Sequence, residues 1–194
     1  MSTLRFEISF HGPFRVGTGR ARAHVDAAVD LADPIPASHV KGLMRAAARD
    51  VLGIDKRGLD AVFGAGKDGG DSPWAWDSAY PESGSWGDVV RATRVRIAVD
   101  DLTGTVLPDH IQVGELMWPD PSLRAVYSVT RSGYLDPAAL PRQEAVLRLA
   151  ARAVTAIGTQ RRRGLGWVSI RPTSTDGEVA ARPDLELLRA AEDH

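Results

Sequence analysis

The groups in this chain best suited to meet an anion sit in one short run, Gly158-Thr159-Gln160-Arg161-Arg162-Arg163-Gly164-Leu165-Gly166. Glycines allow positive φ and let the main chain approach a ligand closely. Guanidinium groups offer planar, paired donors that match phosphate oxygens. Such a run either cradles phosphate or nucleic acid, or is a solvated turn whose arginines lie on neighbouring acids; composition admits both. It is not a dinucleotide fingerprint, because Gly164-Leu165-Gly166 precedes a strand-like segment and the sixth position is Ser169 rather than Gly. Gly64-Ala65-Gly66-Lys67-Asp68 is likewise no P-loop: Ala61 stands at the leading glycine position and Asp68 at that of Ser or Thr.

A second group is Pro34-Ile35-Pro36-Ala37-Ser38-His39-Val40-Lys41-Gly42-Leu43-Met44-Arg45. Ser38 reads as the N-cap of a helix, and a helix start collects free N–H groups and a positive dipole end that can hold an anion. Lys41, Arg45 and Arg49 recur every four residues along one edge of that helix. Gly42 costs helix stability relative to alanine, which suggests close packing or ligand approach. Taken alone, this is equally an amphipathic helix with an ordinary cationic flank. The five histidines show no spacing suited to zinc, although His11 or His39 has the chemistry for nuclease work of the guide-processing kind. Among the five tryptophans, which have the rings to stack on bases, Trp76 is expected in the core.

The elements that position these groups follow from periodicity. Leu4, Phe6, Ile8 and Phe10 alternate with polar residues, a half-buried strand ended by Gly12-Pro13. Val40, Leu43, Met44, Ala47, Val51 and Leu52 repeat at helical spacing over residues 38–52, and Gly53 stops them. A short helical piece precedes Phe63, and Trp74 and Trp76 begin a short strand. Val95, Ile97 and Val99 alternate in a better one, followed by a turn at Asp101-Leu102-Thr103-Gly104. A further strand spans residues 123–129. Pro141 suits the start of a second long helix, residues 142–157, whose stripe runs to Ile157. Residues 167–170 close the set, with a small terminal helix after Leu185. The order strand, helix, strand, strand, helix, strand predicts an α+β, ferredoxin-like (RRM-like) βαββαβ fold. One domain over residues 1–194 is expected, with insertions at about 15–36 and 63–89. Phe6, Ile8, Leu43, Val51, Ile97, Leu149 and Ile170 should lie between the helices and a single sheet holding all four strands.

Composition bounds the rest. Hydrophobic residues make up 43% and charged residues 25% of 194, ordinary for a globular protein, and the absence of cysteine excludes disulfides and thiolate metal sites. No stretch reads as a signal peptide or membrane span, so a cytoplasmic location is the default expectation. The net charge of −1 argues against nucleic acid only as a sum. Arginines gather at 15–22, 91–96 and 161–163, leaving a basic face open.

Several stretches resemble the RAMP (repeat-associated mysterious protein) superfamily of CRISPR proteins. Residues 34–45 are similar to its I-P-G-S-S-L-K-G segment and following basic residue, and 158–166 to its G-x-x-R-x-R-G-x-G loop. Phe63-Gly64 with Trp74 to Ala79 resembles its F-G and aromatic-D-A elements. Residues 94–100 with Thr103-Gly104-Thr105 resemble its R-x-x-x-x-x-D and T-G-T strings, and residues 14–19 its opening loop. The resemblance spans residues 4–171 in order; Ala37 and His39 depart from the usual Gly and small hydroxyl residue. It implies a backbone subunit of a type III CRISPR effector complex that clasps the guide RNA backbone. Gly17, Gly19, Ser38, His39, Lys41, Arg45, Arg161, Arg162 and Arg163 are then the RNA-binding residues. Asp26 falls where target-cleaving relatives carry their aspartate, with Asp30 and Asp33 nearby. Target cleavage would call on a divalent cation, Mg or Mn; no resident metal or other cofactor is implied. Guide RNA, target RNA, other effector subunits and further copies of the chain are the implied partners, with no membrane. The alternative is a stand-alone endoribonuclease that processes repeat RNA through His11 or His39. A chain this compact leaves little room for the long thumb hairpin of backbone subunits.

Overall fold

A computed structural model of the chain describes residues 2–17, 25–66, 69–174, 177–178 and 181–190. The central strand β1 (Thr3–Phe10) pairs antiparallel with β6 (Arg124–Arg131) on one side and β7 (Val168–Ser174) on the other. β2 (Trp74–Trp76) and the short β3 (Tyr80–Pro81) add to β6, and β8 (Gly177–Glu178) extends β7. The helix α1 (Ala37–Asp50) lies in the chain between β1 and β2, and α3 (Leu140–Ala153) between β6 and β7. The strand path β2-β6-β1-β7 is therefore that of the split βαβ, ferredoxin-like arrangement.

Alternation in β1 decides which face the helices cover. Phe6, Ile8 and Phe10 are buried, whereas Thr3 and Arg5 are exposed and Glu7 and Ser9 half-buried. Val40, Leu43, Met44, Ala47 and Ala48 of α1 and Val146, Leu149 and Ala150 of α3 supply buried partners. Phe6 stacks on Tyr127 with ring centroids 5.0 Å apart, and the Tyr127 hydroxyl donates to Met44 Sδ at 3.1 Å. Complete burial pushes the Tyr127 phenol well above its ordinary range. Each such large side chain contributes about 1.5–3 kcal/mol by leaving water. Trp74 is buried and donates through Nε1 to Gln143 Oε1 of α3 at 2.8 Å. Trp76, expected in the core, is half-buried at its margin, where it stacks on Phe63 of α2 (Lys56–Phe63).

Five expectations are corrected. The second strand of the fold is β2, not residues 94–99, which belong to a separate hairpin of β4 (Val90–Val99) and β5 (Val106–Trp118). Alternation marks a strand but not the sheet it joins, so Ile97, expected in the core, is 52% exposed. Val51, also expected there, is the C-cap residue of α1, past its last turn, and is 65% exposed. The room for a long hairpin exists after all: its turn is tied by Asp100 Oδ1, which accepts from the amides of Leu102 and Thr103 at 2.9 and 2.8 Å. α3 ends at Ala153 rather than Ile157; Val154 turns extended so that Ala156 can pair with Trp167, and Ile157 is buried without being helical. Ser38 is not the N-cap of α1. Pro36 holds that position, and Ser78 lends the hydroxyl that accepts from the Ala37 amide at 3.1 Å while donating to Asp33 at 2.9 Å.

The hairpin joins the core at its base. Phe14 pairs with Met117, both wholly buried, and Phe14 stacks on Phe10 against the edge of Trp86. The terminal helix α4 (Arg182–Ala190) is clamped to α3 by Arg148, whose Nε and Nη2 meet Asp184 at 2.8 and 2.6 Å. No helix among the described residues is long and apolar enough to cross a membrane.

Candidate nucleic-acid interface

The glycine-rich run forms a strapped loop between α3 and β7. Its ends are closed by Ile157 N–H donating to Gly166 O at 2.8 Å and Gly166 N–H donating to Pro13 O at 2.8 Å. Thr159 N–H donates to Arg15 O at 2.8 Å, so the opening segment at 13–15 backs the whole loop. Two glycines are required by contact as well as by dihedral. A Cβ on Gly158 (φ +76) would lie 2.1 Å from Arg15 O, and one on Gly166 (φ +76) 1.9 Å from Ile157 O. Gln160 enters the left-handed region at φ 59 and starts the 3-10 turn Arg161–Arg163.

Arg161 and Arg163 are exposed, and no carboxylate among the described residues pairs with either. Neither of these two arginines rests on a described acid. Both line a cleft of about 990 Å³ with His11, Trp167 and the C-terminal half of α1. Trp167 is 59% exposed although its backbone is held from both sides, by Ala156 and by the His11 amide. His11 Nε2 lies 2.7 Å from Ser169 Oγ.

The N-terminal turn of α1 is joined to this loop by one hydrogen bond. Gly158 N–H donates to His39 Nε2 at 2.9 Å, which requires that nitrogen to be unprotonated. Burial, and then the charge of Arg161, hold the His39 imidazole below its ordinary range. His39 thus acts as a neutral tether, with its Nε2 occupied. Ser38 is exposed beside it, and Lys41 is half-buried, its pKa lowered first by burial and then by Arg45 against the opposing pull of Asp71. Arg45 is directed elsewhere: it donates to the Gly64 carbonyl and meets Asp60 at 2.7 Å, pinning α2. Arg49 pairs with Asp50 at 2.7 Å. The cationic edge read from the sequence is accordingly reduced to Lys41.

Phe14 and the Asp26–Ala27 segment lie along the edge of β5 that β4 does not occupy. Gly17 is exposed and bridges to Val29, and Gly19 lies outside the described residues. Asp26 is exposed; its amide donates to Val113 O at 2.9 Å and its Oδ2 accepts from Val113 N–H at 2.7 Å. Asp30 closes a local turn by accepting from the Ala32 amide at 3.0 Å, and Asp33 supports the start of α1 through Ser78. Of the three acids, Asp26 alone is both exposed and set on the hairpin edge. Among the described residues no three His, Asp or Glu side chains converge into a cation site.

Arg15 has no place among the site residues expected from the sequence. It is 7% exposed, its Nε donates to Thr159 Oγ1 at 3.2 Å, and its guanidinium lies against Gly114 of β5, next to the Ala27–Gly114 bridge. It connects the glycine-rich loop to the hairpin edge that carries Asp26. Trp167 was read only as one of several tryptophans; its place directly after the loop was the available signal.

No protein-family model and no curated protein sequence matches the chain. Solved structures do. A chain of the type III-B Cmr-beta bound to cognate target RNA superposes with a TM-score of 0.62 at 14% identity, over 87% of this chain and 58% of that one. This chain thus spans under two thirds of that neighbour's length. A chain of Cmr-beta in its apo state superposes with a TM-score of 0.67 at 10% identity, over 89% of this chain and 98% of that one. The fold of the chain is the fold of these Cmr-beta chains.

Proposed function

We propose that the chain is a guide-RNA-binding subunit of a type III CRISPR effector complex, gripping the RNA backbone with the strapped loop at residues 158–166. The observation that carries this reading is the pair of exposed arginines, Arg161 and Arg163, which no carboxylate among the described residues pairs, on a loop held by Pro13, Arg15, Ile157 and His39. A preorganised cationic loop binds phosphates with little ordering cost. Guide bases go unread by this loop, since base pairing supplies specificity and the protein supplies charge and shape. The shared fold with Cmr-beta chains, one of them in a complex bound to cognate target RNA, supports the assignment. Other effector subunits and further copies of this chain are the expected neighbours.

Cleavage of bound target RNA is the second half of the proposal. The target 2′-OH attacks the adjacent phosphorus, the O2′–P bond forms, the P–O5′ bond breaks, and the 5′ oxygen leaves with a proton from water. Asp26 takes or steers the 2′-OH proton, its geometry fixed by the Val113 amide. A divalent cation, when bound, would offset charge on the phosphate oxygens.

The test has two arms. Replacing Arg161, Arg162 and Arg163 by Ala should weaken single-stranded RNA binding and flatten its salt dependence by roughly 0.7 per lost phosphate contact, with the fold intact. In the assembled complex, Asp26→Asn should abolish target cutting and leave guide and target binding nearly unchanged, because the lost interaction belongs to the transition state. Asp30→Asn is the control; Asp33→Asn is not, since Asp33 supports the α1 start. Unchanged affinity and slope in the triple variant sink the binding half, and native cutting by Asp26→Asn sinks the cleavage half. Metal-free cleavage of repeat RNA by the purified chain would instead favour a processing nuclease, with His11 rather than His39 as its histidine.

A further inference from the structure

Arg15, Arg94 and Arg96 converge on a narrow crevice lined also by Gln112, Gly114, Leu116 and Gln160. Arg15 comes from the opening segment and Arg94 and Arg96 from β4, while β5 and, through Gln160, the glycine-rich loop complete the lining. Pairing of Arg94 with Gly114 and Arg96 with Gln112 puts both β4 arginines on one face of the hairpin. Gly114 leaves space there that the Arg15 guanidinium fills. With its amide oxygen turned toward them, Gln160 accepts from Arg96 Nη1 at 2.9 Å and Arg15 Nη2 at 3.0 Å. No carboxylate among the described residues pairs with any of the three arginines.

Folding therefore gathers three cations, one of them 7% exposed, around a neutral amide. Burying a charge without an opposite partner is costly, and bringing like charges together adds to that cost. Arg15 registers both, its pKa lowered by burial first and by Arg94 second. An arrangement that repels itself in the free protein and is stabilised by an incoming anion is a binding site held ready.

We infer that Arg15, Arg94 and Arg96 form a phosphate seat joining the glycine-rich loop to the β4–β5 hairpin. The crevice is too tight to admit the anion, so phosphate sits at its mouth, against exposed Arg94 and half-buried Arg96, with buried Arg15 behind. An occupied seat ties loop and hairpin together, because one phosphate neutralises groups on both. The seat rests on the RNA-binding reading only for the source of the anion, a backbone diester; the need for an anion stands on the three arginines.

The experiment uses inorganic phosphate and a ten-residue oligouridylate as probes, with the double variant Arg94→Gln, Arg96→Gln. Thermal midpoints are measured in chloride and in phosphate at matched ionic strength. Phosphate at ten times its dissociation constant should raise the native midpoint by about 3–5 °C and leave that of the double variant unmoved. In chloride, Arg94→Gln alone should melt at or above the native temperature, since it relieves repulsion and breaks no hydrogen bond described at that residue. A structural role would instead lower it. For oligouridylate, the double variant should show a salt slope shallower by about 1.4. Phosphate protection of native protein that binds no RNA would uphold the seat and defeat the RNA reading. RNA binding with an unchanged slope, or equal phosphate protection of native and double variant, would overturn the seat.

Discussion

His39 offers the sharpest test of how the loop is held. Replacing it by Ala leaves the half-buried Gly158 N–H, on a glycine at φ +76, without the His39 acceptor. An unsatisfied donor costs about 1–3 kcal/mol, and partial access to water places this one in the lower half of that range. For a chain of this length, about 1–1.5 kcal/mol lowers the melting temperature by about 3–5 °C. The pH dependence is a second signature. Burial and Arg161 hold the native imidazole below its ordinary value, so the unfolded chain takes up the proton first. The stability contributed by neutral His39 is complete above about pH 6.5, the unfolded value, and is lost as the pH falls from there through the depressed native one. His39→Gln, whose side-chain carbonyl accepts at any pH, should lose the acid-side decline that His39 imposes. Thermal melts of native, His39→Ala and His39→Gln protein between pH 5 and 8 decide the matter. If His39→Ala melts with the native protein at pH 7.5, and the native and His39→Gln profiles run parallel into acid, the tether does not exist.

Two further outcomes follow from packing. Gly166→Ala should destabilise by about 3 kcal/mol or more, because its Cβ would collide with the Ile157 carbonyl in a left-handed backbone, and a chemical-denaturation midpoint reads the loss; near-native stability would mean the loop can move aside. Arg148→Ala should cost about 3 kcal/mol by leaving Asp184, which is 5% exposed, without its bidentate partner. Limited proteolysis should then release α4 first; uniform unfolding instead would show that α4 is part of the central cooperative unit.

Where local pattern and tertiary role coincide, the sequence alone was sufficient. The alternation in residues 4–10, the helical stripe from Val40 to Ala47, Pro141 near the start of α3 and the short Trp74–Trp76 strand all reappear as elements, because period and cap chemistry are properties of a few consecutive residues. The cationic, glycine-rich character of residues 158–166 was equally plain, since it is written in residue types.

What depended on distant residues could not be read in this way. Val95, Ile97 and Val99 alternate whether their apolar face meets a core or solvent, and only the pairing of β4 with β5 puts that face outside. Ser38 carries a capping side chain, yet Ser78, forty residues on in sequence, caps the helix. Arg45 and Lys41 look equivalent along one edge, but Asp60 and Gly64 of the following element claim Arg45 and leave Lys41. His39 and Gly158 are far apart in the chain and become partners only when α1 and the loop after α3 are packed side by side. The same packing brings Arg15 to Arg94 and Arg96, a concentration of like charge that no local pattern encodes, because repulsion of this kind is decided by distances in space.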